Sequence, residues 1–147
     1  MKKNTTYIFI LFFTLFVCNC GNRPHPTIPN AKVDFYIYPN DLTYLDLNYS
    51  GGFVYLTGGV EGIIVYRLNE MTFLAYDRAC PYDWKDNDSW ISVNDDGLTL
   101  SCSKCRAIFN ILDGSLISGP ATFNNPETYT LKYYKTYFDG ARLRVYN

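Results

Sequence analysis

An all-β fold, an antiparallel sandwich or barrel of short strands, is the class this sequence predicts, and three observations predict it. Asp-Gly pairs recur at Asp96-Gly97, Asp113-Gly114 and Asp139-Gly140, each between short apolar runs. Asp-Gly is among the strongest short hairpin signals, because a type I′ turn needs positive φ at both central residues. The chain is rich in aromatics, with 14 Tyr and 10 Phe, which suit half-buried strand faces. No stretch carries an amphipathic helical pattern three turns long. At 147 residues, the chain fits one domain plus an N-terminal appendage.

That appendage comes first. Lys2 and Lys3 give a basic start, and Tyr7 to Val17 is an apolar run of 11 residues. The run is too short to span a bilayer, which needs about 20 residues, and has the length of a secretory signal core. Val-Cys-Asn-Cys-Gly-Asn follows. A cysteine closing such a core, ahead of Gly and polar residues, resembles a bacterial lipoprotein signal, in which cleavage before a cysteine leaves it lipidated. Cys20 is the expected lipidation site, with Cys18 as the alternative; a plain signal peptide with incidental cysteines is the other reading. The expected organisation is therefore a signal peptide at 1–19, a tether at 20–32 rich in Pro and Asn, and a β domain at 33–147. The expected location is the bacterial cell envelope, lipid-anchored, facing the periplasm or the cell surface. Membrane contact through the anchor and an envelope protein are the expected partners.

Within the domain, Phe53 to Leu56 and Gly62 to Leu68 read as strands joined by a Gly58-Gly59 turn, and Thr72 to Tyr76 as a third. The segments around the Asp-Gly pairs then read as successive hairpins: 98–102, 107–112, 115–118, 130–138 and 141–147. About 115 residues suffice for such a core.

Loss of Lys2 and Lys3 with the signal takes the formal charge from −1 to −3. No basic stripe stands out, so nucleic acid is not an expected partner. His25, the only histidine, lies between prolines in the tether and reads as a solvated linker residue, so no Ser/His/Asp arrangement forms. No phosphate-binding glycine loop is present either. Hydrolase and nucleotide chemistry are unsupported, and an enzyme is not the favoured reading.

Chemistry concentrates in the cysteines. Outside the cytoplasm thiols tend to oxidise. Three remain after cleavage, Cys80, Cys102 and Cys105, so at most one internal disulfide can form. Cys102-Ser103-Lys104-Cys105 has the spacing of a metal knuckle. Asp83, Asp86 and Asp88, with Trp84 and Trp90, read as a solvated acidic loop; the 12-residue calcium loop is absent. Trp84 is expected to pack in the core.

The two cysteine-bearing segments, residues 75–84 and 101–110, together resemble the Rieske iron–sulfur domain. That family has a strand leading into C-x-H, a second loop with C-x-x-H, then Phe-Asp, an Asp-Gly-type turn and Gly-Pro-Ala. Here Ala79-Cys80-Pro81-Tyr82 matches the first loop and Cys102-Ser103-Lys104-Cys105 the second. Phe109-Asn110, Asp113-Gly114 and Gly119-Pro120-Ala121 match the rest. The resemblance covers roughly residues 42–147 and implies a Rieske-like β sandwich with two site loops. It gives Pro81, Trp84, Gly119 and Pro120 supporting places around the site, with Gly119-Pro120 as a rigid turn over the loops.

The departures bear on function. In the family two cysteines bind one iron and two histidines the other. The histidine positions here hold Tyr82 and Cys105, so the ordinary Cys₂His₂ cluster is not expected. The positions of the disulfide that some family members carry hold Lys85 and Lys104. Three outcomes stay open. In the first, no cofactor binds and a Cys80–Cys102 or Cys80–Cys105 disulfide staples the loops; closing a loop of about 20 residues contributes roughly 3 kcal/mol. In the second, Cys80, Cys102 and Cys105 hold zinc or a nonstandard [2Fe–2S] centre, with Tyr82 or Asp83 as fourth ligand. In the third, Cys102 and Cys105 exchange redox equivalents as a C-x-x-C pair. The leading expectation is the first: a metal-free structural or interaction module. The alternative is an electron-transfer protein.

Overall fold

The computed structural model describes residues 28–86, 88–120 and 129–147. The expected signal peptide at 1–19, Cys18, Cys20, His25 and Ala121 lie outside the described residues. The fold is all-β, built of antiparallel curled sheets that form a half-barrel. Its strands are β1 Asp34–Ile37, β2 Phe53–Leu56, β3 Ile63–Arg67, β4 Phe73–Asp77, β5 Ile91–Val93, β6 Thr99–Cys102, β7 Ile108–Asn110, β8 Leu116–Ser118, β9 Tyr133–Phe138 and β10 Leu143–Tyr146. One sheet runs β1-β10-β9-β4-β3-β2 and the other β5-β6-β7-β8. A 3-10 helix at Leu42–Asn48 starts where the Asp41 side chain accepts from the Thr43 N–H at 2.8 Å.

Strand β3 explains the layering. Its sequence, Ile-Ile-Val-Tyr, does not alternate, because both of its faces are buried. Ile63 and Val65 join a core with Val33, Ile37, Leu47, Phe73, Ala75, Tyr134, Leu143 and Val145. Ile64 and Tyr66 face a second core with Tyr76, Ile91, Leu100, Phe109 and Ile111, which also takes in Cys80 and Cys102. Each large apolar side chain buried this way contributes about 1.5–3 kcal/mol. The two expected strands on either side of Gly58-Gly59 are β2 and β3, and they pair from Phe53↔Tyr66 to Leu56↔Ile63.

The three Asp-Gly turns close hairpins, but not as type I′. Their glycines have φ of 63°, 70° and 96°, while Arg106 is the only described non-glycine with positive φ. Each Asp instead turns its carboxylate onto the backbone ahead. Asp96 Oδ1 accepts from Leu98 N–H at 2.8 Å, Asp113 Oδ1 from Ser115 N–H at 2.9 Å and Asp139 Oδ1 from Arg142 N–H at 2.8 Å. The connections run to four or five residues (94–98, 111–115, 139–142), and in these longer loops one left-handed glycine after an Asx turn suffices.

The last residues assigned to the tether pack on the domain. Ile28 is buried, the Pro29 carbonyl accepts from Lys132 Nζ, and Asn147 Nδ2 donates to the Ala31 carbonyl at 2.7 Å.

One buried carboxylate joins four parts of the fold. Asp77, at the end of β4, is fully buried. It accepts from Val60 N–H at 2.8 Å, Glu61 N–H at 3.2 Å, Ala79 N–H at 2.9 Å and the Tyr134 hydroxyl at 2.6 Å. Burying a charge is costly unless its lone pairs are filled, and here each oxygen has two donors. Asp77→Ala is expected to lower the unfolding free energy by about 3 kcal/mol or more, since it strands several buried donors, and Tyr134→Phe by about 1 kcal/mol. Urea unfolding curves of the two variants check this ordering; near-equal losses would contradict it.

Candidate metal centre

Two loops build the site. The first runs from Arg78 to Trp90 between β4 and β5, and the second is the turn from Ser103 to Ala107 between β6 and β7. Asp77 fixes where the first begins, through the Ala79 N–H. Its two ends are then closed on each other. Ala79 and Trp90 form an antiparallel bridge, and Ile91 N–H donates to the Arg78 carbonyl at 2.7 Å while Arg78 Nε donates to the Ile91 carbonyl at 3.0 Å. Strand pairing sets the second loop beside the first, because Ile91 pairs with Cys102.

The second loop is a tight turn. Cys102 N–H donates to the Ala107 carbonyl at 3.0 Å, and Arg106 N–H to the Cys102 carbonyl at 3.2 Å. Arg106 takes the left-handed conformation, φ 58°, which costs a residue with a Cβ about 1–2 kcal/mol. Cys102 and Cys105 lie within this turn, and their sulfurs come within 4.8 Å of each other. Ser103 locks it to the first loop: its N–H donates to the Trp90 carbonyl at 3.0 Å, its hydroxyl accepts from Trp90 N–H at 3.0 Å and donates to the Asp88 carbonyl at 2.8 Å. Lys104 adds ion pairs to Asp86 at 2.9 Å and Asp88 at 3.5 Å.

The loops bring Cys80, Cys102 and Cys105 together with Asp83. Their three sulfurs and one carboxylate oxygen all lie within 4.8 Å of one another, close enough to hold a metal ion. The Cys80 and Cys105 sulfurs are 3.6 Å apart, and the Cys102 sulfur is 3.5 Å from the Ser89 hydroxyl. All three cysteines are free thiols in this structure. A single tetrahedral ion with metal–sulfur bonds of about 2.3 Å holds its sulfurs about 3.8 Å apart. An ordinary Rieske cluster divides its ligands into two pairs, one on each iron, and its second pair is histidine. The residues here include no histidine and so do not fit that Cys₂His₂ group: the donor set is three thiols and a carboxylate, close enough together to hold a metal ion.

The electrostatics are those of a site short of positive charge. Asp83 Oδ2 is buried and has no hydrogen-bond partner among the described residues. Burial pushes the Asp83 carboxyl up, against a hydrogen bond with Cys105 and the pull of Lys104. The hydrogen bond from Cys80 holds the Cys102 thiol well below its ordinary range, with help from Ser89 and the N–H groups of Cys105 and Lys104. The same contact with Cys102, and then burial, push Cys80 up. Burial first, and then Cys102, push Cys105 up. Four acidic groups this close cannot all ionise without a cation.

The other residues singled out from sequence fall as follows. Tyr82, the alternative fourth ligand, is 42% exposed and sets its ring edge-on to Tyr129, with centroids 5.8 Å apart. Pro81 is buried directly after Cys80. Trp84, expected in the core, is only half-buried, with Lys85 Nζ 5.5 Å from its ring centroid; the buried places beside it are taken by Cys80 and Pro81. Gly119 is exposed and Pro120 half-buried just beyond β8. The acidic loop is not simply solvated, since Asp83 turns inward and Asp86 and Asp88 pair with Lys104.

Ser89, Ser103 and Arg106 escaped sequence reasoning. Their roles depend on the register of β5 against β6, which no local pattern of small polar residues reveals. Of these contacts the Ser103 bonds outweigh the Lys104 ion pairs, whose partners Asp86 and Asp88 are 46% and 76% exposed. Ser103→Ala is expected to cost about 1 kcal/mol and Lys104→Ala between about 0 and 1 kcal/mol, falling further in high salt. Thermal melts at low and high ionic strength check both.

Compared with protein-family models the chain finds no match, and compared with curated proteins it finds none either.

Proposed function

We propose that this chain is a lipid-anchored protein of the bacterial cell envelope whose Rieske-like β domain carries one metal ion on Cys80, Asp83, Cys102 and Cys105. The ion clamps the two site loops and so fixes the loop surface that an envelope partner meets. The observation that carries the reading is the gathering of an Asp83 carboxylate oxygen and three cysteine sulfurs within 4.8 Å of one another, on a side chain whose buried Oδ2 has no hydrogen-bond partner among the described residues. Asp83 is half-buried, but a buried oxygen without a partner is unfavourable, and a cation between the carboxylate and the sulfurs removes that cost. Three thiolates select zinc or iron over hard cations such as calcium and magnesium. All four ligands come from the protein, which is the closed shell of a structural site; a catalytic zinc keeps a position open for water or substrate. The reading therefore assigns the ion to holding structure, and no reaction to it.

The 3.6 Å approach of the Cys80 and Cys105 sulfurs favours a second reading, a metal-free module stapled by that disulfide. A metal measurement separates the two. The full chain, purified in detergent from cells supplied with zinc and iron, is expected to hold about one ion per chain. Asp83→Ala is expected to weaken binding by about 100-fold, the upper end of what loss of a mere supporting contact costs, as read by competition with a chelator. Two irons per chain would overturn the one-ion reading. A metal-free chain with one free thiol would establish the disulfide instead.

A further inference from the structure

Resting on the one-ion reading above, we propose that the site is a redox switch: oxidation by a peroxide joins Cys80 to Cys105 as a disulfide and ejects the ion, while Cys102 keeps its thiol. Three observations carry it. First, the Cys80 and Cys105 sulfurs stand 3.6 Å apart. That is close to the edge of a tetrahedron around one ion, and about 1.6 Å of approach turns it into a disulfide bond. Second, access is unequal. Cys80 and Cys102 are 0% and 2% exposed, whereas Cys105 is partly open to solvent, and oxidation of a thiolate follows its exposure. Third, Cys102 is the one of the three that the sheet holds. It ends β6, gives its N–H to the Ala107 carbonyl at 3.0 Å and has the Ser89 hydroxyl 3.5 Å from its sulfur. Cys80 and Cys105 both lie in loops, outside the strands.

The step balances. The Cys105 thiolate attacks one peroxide oxygen; the O–O bond breaks, a sulfenic acid forms, and hydroxide leaves. The Cys80 thiolate then attacks the Cys105 sulfur; the S–S bond forms, the S–O bond breaks, and a second hydroxide leaves. Two electrons pass from two sulfurs to one peroxide, and two protons from solvent complete two waters. The ion loses two of its four ligands in the same event. Cys102 and Asp83 alone do not retain it, so the clamp passes from a metal bond to a covalent one that omits Asp83 and Cys102.

The test uses the zinc-loaded full chain in detergent, titrated with hydrogen peroxide. Zinc release is read with a chromophoric chelator, and the pairing by mapping peptides without reduction. The expected result is one zinc released per Cys80–Cys105 disulfide, reversed by dithiothreitol and added zinc. Cys102→Ser should still form that disulfide, while Cys105→Ser should form at least tenfold less disulfide at the same peroxide dose. A Cys102–Cys105 bridge, release accompanied only by sulfinic acid, or zinc retained through oxidation of the thiols would overturn the switch and leave the one-ion reading standing. A chain that takes up no zinc before peroxide is added would overturn the one-ion reading, and the switch with it.

Discussion

The fully buried carboxylate of Asp77 is the constraint on which the site depends. Its two oxygens fix the β2–β3 loop through Val60 and Glu61, strand β9 through Tyr134, and the first site loop through Ala79. The approach is close enough to dictate sequence nearby. A Cβ on Gly59 would lie 2.5 Å from Asp77 Oδ2 and 2.7 Å from the Tyr134 hydroxyl, and Gly59 also holds φ +65°. Glycine is the residue that meets both demands. Four donors on one carboxylate also set a direction: the chain leaves β4 along one path, and Cys80 follows three residues later.

From that point the sheet register does the rest. Ala79 bridges Trp90, Ile91 pairs with Cys102, and Cys102 opens the turn that carries Cys105. Cys80 and Cys102 also belong to the core between the two sheets, beside Ile91, Leu100 and Phe109. A free cysteine packs as a small hydrophobe, so these two sulfurs contribute to the core whether or not they bind anything. Asp83 differs. Nothing in the packing of a core calls for a carboxylate oxygen there, and the groups that act on it are the thiols, Lys104 and the like-charged Asp86.

Much of the fold was legible in local patterns. Phe53–Leu56 was readable as a strand residue for residue, and the Asp-Gly pairs marked three hairpins. The turn type was not legible: it depends on loop length, and an Asp that can bond two residues ahead competes with the type I′ geometry that Asp-Gly suggests. Strand β5 has only three residues, too few for a period-2 pattern to declare itself. The three cysteines and Asp83 were legible as site residues, on spacing and resemblance. The inward turn of Asp83 was not, because Asp83, Asp86 and Asp88 look alike in sequence. What separates them is Lys104, which engages Asp86 and Asp88 and leaves Asp83 to the sulfurs.

That division of the acidic loop bears on what holds the loops together. Lys104 occupies a position where the Rieske resemblance implies a possible disulfide, and its ion pairs span the same gap. Both Lys104 and Asp86 are nearly half exposed, and pairs of that kind contribute about 0–1 kcal/mol. A carboxylate oxygen and three sulfurs packed within 4.8 Å of one another, with the buried Asp83 Oδ2 unpartnered among the described residues, oppose closure. The ion pairs can steer the loops but cannot keep Asp83 inside. Neutralising Asp83 by protonation would satisfy the carboxyl alone and leave the three sulfurs without a shared partner. A disulfide would remove two thiols and leave the carboxylate uncompensated. A single cation answers both demands at once. For this reason the four-atom cluster, more than any one cysteine, is the feature that separates a metal centre from a staple.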